Sequence, residues 1–222
     1  MKIISLSSCT AGPACAIACA IKQYFYNNNY QTNMFDYLEI SLLAIIQVLL
    51  LNPPDIEYLS DNNEISLNID DNNSVQFKNF DKIISHHDLK KDYNTIDYNI
   101  FIEKYKRRYH RLINDIKNQN KIFFIRYGIE DETQLSILIN TIIESNKNLE
   151  LYFINIINHE HNFNYKYLKN TKNFIVINLY NNLNDNEDLF LKTLNSDWKP
   201  IYDFIISNLS EDEQKYISYN GK

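Results

Sequence analysis

The chain has 222 residues, 45% of them hydrophobic and 23% charged, an ordinary globular balance that leaves disorder no dominant share. Its length predicts one domain over residues 1–222, with enough chain for a sizeable core. A net charge of -6 argues against sequence-independent nucleic-acid binding, which rests on Lys and Arg neutralising phosphates.

The chain opens with KIISLSSCTAGPACAIACAIKQYF (2–25), which holds all three cysteines, Cys9, Cys15 and Cys19. Lys2 and Ala18-Cys19-Ala20 mimic two parts of a secretory signal, but Ser7, Ser8, Thr10, Gly12 and Pro13 interrupt the apolar stretch such a signal needs. The segment reads instead as a buried strand over 2–6, a tight turn, and a helix whose apolar face is Ala16, Ile17, Ala20, Ile21 and Tyr24. Pro13 suits the first helical turn, and Thr10 or Ser8 suits its cap. Asn27 to Thr32 is a loop. ISLLAIIQVLLL (40–51) is too short for a membrane span and ends at Pro53-Pro54, so residues 38–51 are predicted as a core helix. These features predict a soluble cytoplasmic protein with no membrane partner.

Residues 60–74 are rich in Asn and Asp, with Ile65, Leu67 and Ile69 alternating, and are predicted as a hairpin or a mobile loop. Phe77 to Ile84 leads into the polar break SHHDL. Residues 97–118 form an amphipathic helix whose KYKRRYHR run (104–111) reads as a solvated face. KIFFIRYG (121–128), LELYFINII (149–157) and NFIVINLY (173–180) are strands, with helices over 131–145 and 198–209. Strand, helix, strand predicts an α/β fold: a mainly parallel, Rossmann-like sheet with helices on both faces, Cys9 lying at a carboxyl edge.

A thiol at a helix N-terminus is activated by the helix dipole, which makes Cys9 a candidate nucleophile; Cys15 and Cys19 share an apolar helix face and read as core thiols. Among five histidines, His87 in the HHD break is the first choice for a base, with Asp88 beside it. Arg126, a long cation at the end of an apolar strand, is predicted to face a pocket or to pair with Asp36 or Asp88. Cysteine and histidine spacings fit no zinc pattern, and GxGxxG, P-loop and GxSxG motifs are absent, so neither metal nor cofactor is expected.

SLSSC (5–9) with its Ala-rich helix, MFDY (34–37), HHDL (86–89), YKRRYHRL (105–112) and KIFFIRY (121–127) follow one another in a telling order. Over roughly residues 3–180 this resembles the domain-of-unknown-function family labelled putative papain-like cysteine peptidase, with its ISLGSxC, PFDW and F-HD signatures. Ser7, Met34 and Tyr37 replace that family's usual Gly, Pro and Trp. The resemblance implies a Cys/His hydrolase and, by the family's label, an α+β papain-like alternative for the fold.

Three functions follow as expectations. The first is a hydrolase or acyl transferase acting on a protein or small molecule: Cys9 attacks, His87 moves the proton, Asp88 or Asp36 orients the imidazole, and N–H groups near Cys9 and Thr10 hold the oxyanion. The second binds or transfers a phosphorylated or sugar-nucleotide ligand through Ser7, Ser8, Thr10 and Arg126. The third is a catalytically silent interaction protein of a large DNA virus in its host's cytoplasm, a source that the AT-rich bias of the residues fits.

Overall fold

The computed structural model describes residues 1–8, 11–26, 30–50, 65–66, 75–77, 80, 82–85, 98–128, 132–157, 174–178, 194–195 and 197–219. Strand β1 (Lys2–Ser8) leads to helix α1 (Ala11–Ala20), which ends in a π-helical turn (Ile21–Phe25). Next come β2 (Leu38–Ile40), α2 (Leu42–Leu50) and three short strands, β3 (Ile65–Ser66), β4 (Val75–Phe77) and β5 (Ile83–Ser85). The remaining elements are α3 (Tyr98–Asn118), β6 (Lys121–Tyr127), α4 (Glu132–Ser145), β7 (Glu150–Ile157), β8 (Phe174–Asn178), α5 (Lys199–Ser207) and α6 (Glu211–Gln214).

All eight described strands join one open sheet in the order β3-β4-β5-β2-β1-β6-β7-β8. Strands β2, β1, β6, β7 and β8 run parallel; β3, β4 and β5 extend the β2 side by antiparallel pairing. The expected α/β sheet is therefore present, with the four predicted long strands adjacent at its centre and edge. The papain-like alternative needs an antiparallel barrel, whereas these strands form an open sheet with a parallel centre.

Residue alternation explains why the sheet is buried on both faces. Ile4, Leu6, Ile122, Phe124, Leu151 and Phe153 pack with α2, α3 and α4 on one side. Ile3, Phe123, Ile125, Tyr152, Ile154 and Ile156 pack with α1, the π turn and α5 on the other. Successive strand residues point to opposite faces, so continuous apolar runs are what a two-sided sheet requires. Phe123 and Tyr152 stack across β6 and β7 with ring centroids 4.7 Å apart. Trp198, fully buried at the start of α5, meets Phe25 edge-on.

Two expectations change in detail. The predicted helix over 38–51 is, in its described residues 38–50, a strand and a helix. Leu38 and Ile40 both enter the core, and the Ser41 hydroxyl accepts the Ala44 N–H at 3.0 Å, which starts α2 afresh. Of 60–74, predicted as a hairpin or a mobile loop, only β3 is described, paired antiparallel with β4, Ile65 opposite Phe77; the other residues of that stretch lie outside the described residues. No helix among the described residues is long and apolar enough to cross a membrane.

Candidate functional site

The order in which strands are added reverses at the middle of the sheet, between β1 and β6. From β1 the chain passes through α1 to β2 on one side, and from β6 through α4 to β7 on the other, with α1 and α4 on opposite faces. In an open α/β sheet such a switch point, at the carboxyl ends of β1 and β6, is where ligands commonly gather.

The end of β1 is irregular at this point. Between the Ser5↔Ile125 and Ser8↔Tyr127 pairings, β1 spends three residues where β6 spends two, which is a bulge. Ser7 takes φ 54°, a left-handed conformation unfavourable for a residue with a Cβ. Two hydrogen bonds hold it: its N–H donates to Ser5 Oγ at 3.0 Å, and its hydroxyl donates to the Phe35 carbonyl at 2.6 Å. Glycine would take this φ without that cost.

Arg126, near the carboxyl end of β6, is fully buried. It donates from Nη1 to the Leu6 carbonyl and from Nη2 to the Ile40 carbonyl, both at 2.9 Å. Among the described residues β1 and β2 share one register pair, Ser8↔Glu39. The guanidinium fork therefore supplies donors to carbonyls on two strands whose own ladder is short, a task suited to its planar, five-donor geometry.

Asp36 is also fully buried. Its Oδ2 accepts the Asn33 N–H at 2.8 Å, while Oδ1 accepts Asn33 Nδ2 at 2.7 Å and the Tyr30 hydroxyl at 3.1 Å. Burial raises the carboxyl pKa to about 7, against the lowering effect of these bonds and of Arg108. Tyr37, next in sequence, is the other described non-glycine residue with positive φ, at 65°. Arg111 donates to the Thr32 carbonyl, so the basic run on α3 anchors this loop as well as facing solvent.

Cys15 and Cys19 are half-buried; burial pushes the Cys15 thiol up to about 12 and raises that of Cys19, so both stay protonated at neutral pH, as core thiols do. Cys9, Thr10, His87 and Asp88 lie outside the described residues. What is defined are the strand ends that lead to them. Ser8 stands level with Glu39, and Ser85 level with Leu38 on β5, which runs opposite to β1 and two strand spacings from it, about 10 Å.

One polar residue escaped the sequence reading. Asn155, 3% exposed, faces Arg126 in register near the end of β7. Its Nδ2 donates to the Gly128 carbonyl at 2.7 Å, fixing a turn in which Gly128 has φ 135°. Its Oδ1 is buried without a hydrogen-bond partner. An asparagine inside the apolar strand LYFINII was the available signal.

Among the described residues no three His, Cys, Asp or Glu side chains are grouped to hold a metal. No family model, no curated protein and no solved structure matches this chain.

Proposed function

We propose that this chain is a cysteine-dependent hydrolase or acyl transferase, built on a Rossmann-like doubly wound sheet, with Cys9 as nucleophile and His87 as its proton partner. The observation that carries the reading is the end of β1. A bulge and a left-handed Ser7, held by two hydrogen bonds, shape the strand immediately before Cys9, beside the switch point where strand order reverses. Strained backbone next to a reactive residue is a recurrent feature of active sites. The order of MFDY, HHDL and KIFFIRY behind Cys9, which resembles that of the cysteine peptidase family, supports the same reading.

In the proposed reaction His87 takes the thiol proton as sulfur attacks a carbonyl carbon. The tetrahedral oxyanion is held by N–H groups around Cys9 and Thr10. Collapse breaks the bond to the leaving group, which receives the proton from His87, and leaves a thioester. Water or an acceptor nucleophile, deprotonated by His87, then releases the acyl group and restores the thiol. Asp36 already accepts three hydrogen bonds from its own loop, so orientation of the imidazole falls to Asp88. The direction of β5 sets a requirement: the chain after Ser85 turns back toward β1 for the imidazole to reach sulfur.

The test is acylation by p-nitrophenyl acetate, followed by mass spectrometry of the intact chain and its peptides. An acetyl adduct on Cys9 that forms in the wild type and is lost in His87→Ala supports the reading. Adducts spread over Cys15, Cys19 and lysines, unchanged by His87→Ala, overturn it.

A second reading has its own support. Set on Ser7, the ISLGSxC signature puts its cysteine at Thr10 and leaves Cys9 at the variable position. The same switch point then serves to bind or transfer a phosphorylated or sugar-nucleotide ligand. Arg126 is spent at least on two main-chain carbonyls, so the anion would rest on Ser8, Thr10 and nearby N–H groups. Ligand binding that survives Cys9→Ala but is lost in Thr10→Val selects this reading.

A further inference from the structure

At the opposite edge of the sheet, α2, α3 and α4 enclose a cleft of about 310 Å³. This is the lower end of the range for small-molecule sites. Its position follows from the topology. Helix α3 ends at Asn118 just before β6 begins at Lys121, and α4 ends at Ser145 just before β7 begins at Glu150. Helix α2 starts at Leu42 right after β2 ends at Ile40. All three helices therefore finish at the amino edge, and the cleft is lined by their last turns. Converging helix C-termini carry partial negative charge and favour a cation.

The lining has two characters. Leu49, Ile113 and Ile142 form an apolar wall. Opposite it, Thr141, Glu144 and Ser145 bring oxygen atoms from the last turn of α4. The two hydroxyls spend their protons inside the helix: Thr141 donates to the Ile137 carbonyl at 2.9 Å, and Ser145 to the Thr141 carbonyl at 3.1 Å. Each oxygen is left able only to accept, and Glu144 is an exposed carboxylate beside them. Asn146 covers carbonyls of Ile116, Lys117 and Gln119 at the end of α3. Lys117 on the rim is the chain's own cation at this place.

We propose that this cleft binds a small organic ammonium ion, its apolar body against Leu49, Ile113 and Ile142 and its N–H donors on Glu144 and the Thr141 and Ser145 oxygens. The site is separate from the switch point beside Cys9 and stands whether or not the hydrolase reading does. Lys117 competes with the ligand for the same oxygens, which fixes the sign of one variant.

The test is an amide NMR titration of the full chain with three probes of one shape: benzylamine, cationic at pH 7, benzyl alcohol and benzoate. Benzylamine is expected to shift the amides of Thr141, Glu144 and Ser145 saturably and to bind about fivefold tighter than benzyl alcohol, the scale of one exposed ion pair, with benzoate weakest. Glu144→Gln, on the surface and safe for folding, should remove most of that preference, and Lys117→Met should tighten benzylamine by about threefold. Ile113→Trp should abolish binding of all three by filling the cleft. Equal affinity for amine and alcohol, a preference for benzoate, shifts that do not saturate, or weaker amine binding in Lys117→Met would each overturn the proposal.

Discussion

The two halves of the sheet are held together by different chemistry. Around β6 and β7 the contacts are apolar and repetitive, with seven consecutive register pairs from Lys121↔Glu150 to Tyr127↔Ile156. Around the end of β1 and β2 one register pair is supplemented by individual polar groups: the Arg126 fork, the Ser7 hydroxyl and the Asp36 loop. An apolar ladder tolerates exchange of one hydrophobic residue for another of similar volume, whereas a buried guanidinium or carboxyl has few substitutes. The polar half is also the half that presents the proposed site.

Breaking each half should cost differently. Phe123→Ala removes a buried ring that stacks on Tyr152, and should lower stability by about 3–5 kcal/mol in denaturant melts. Phe123→Leu should recover most of that, because volume and polarity are largely kept. Arg126→Met should cost about 2–4 kcal/mol by leaving the Leu6 and Ile40 carbonyls without these donors. Here the conservative change helps less: Arg126→Lys keeps the charge but cannot span both carbonyls. Full recovery in Arg126→Lys would show that charge, not the fork, is what matters.

Asp36 sharpens the comparison through pH. Its carboxyl pKa rises on folding from the ordinary value of 3.8 to about 7, so between those values the folded chain holds a proton that the unfolded chain has released. Stability contributed by this group is therefore greatest below the lower value, falls as pH rises toward 7, and levels off above it. In Asp36→Asn that pH dependence should flatten across the same window. Parallel stability curves for the two proteins from pH 4 to pH 8 would contradict the assignment.

The smallest effects concern caps and turns. Ser41→Ala should cost about 1 kcal/mol by removing the cap of α2. Ser7→Gly should change stability by less than about 1 kcal/mol, since relief of the left-handed backbone offsets the lost bond to Phe35. Ser7→Ala keeps the unfavourable φ and loses the bond, so it should be the worse of the two by about 1 kcal/mol.

The same contrast explains what was legible in the sequence. KIISL, KIFFIRY and LYFINII announce themselves because two-sided burial demands continuous apolar runs, and their parallel order followed from the intervening helices. The split of residues 38–50 into β2 and α2 was hidden, because the apolar run from Leu42 dominates the segment and only the short alternation Leu38, Glu39, Ile40, Ser41 marks the strand. Arg126 and Asp36 stood out as anomalies in sequence. Their partners, two main-chain carbonyls and a loop amide, carry no sequence signature. Asn155 was overlooked because one polar residue in the run LYFINII leaves the apolar pattern intact.

The most direct test of the account is the pH dependence of Cys9 alkylation by iodoacetamide, followed on the Cys9 peptide in wild type and in His87→Ala. An activated thiol partnered by His87 predicts a reactivity midpoint well below the ordinary value of about 8.5, returning toward it in His87→Ala, while Cys15 and Cys19 react slowly throughout. A Cys9 midpoint near 8.5 in both proteins, or a Cys9 no more reactive than Cys15 and Cys19, would contradict it.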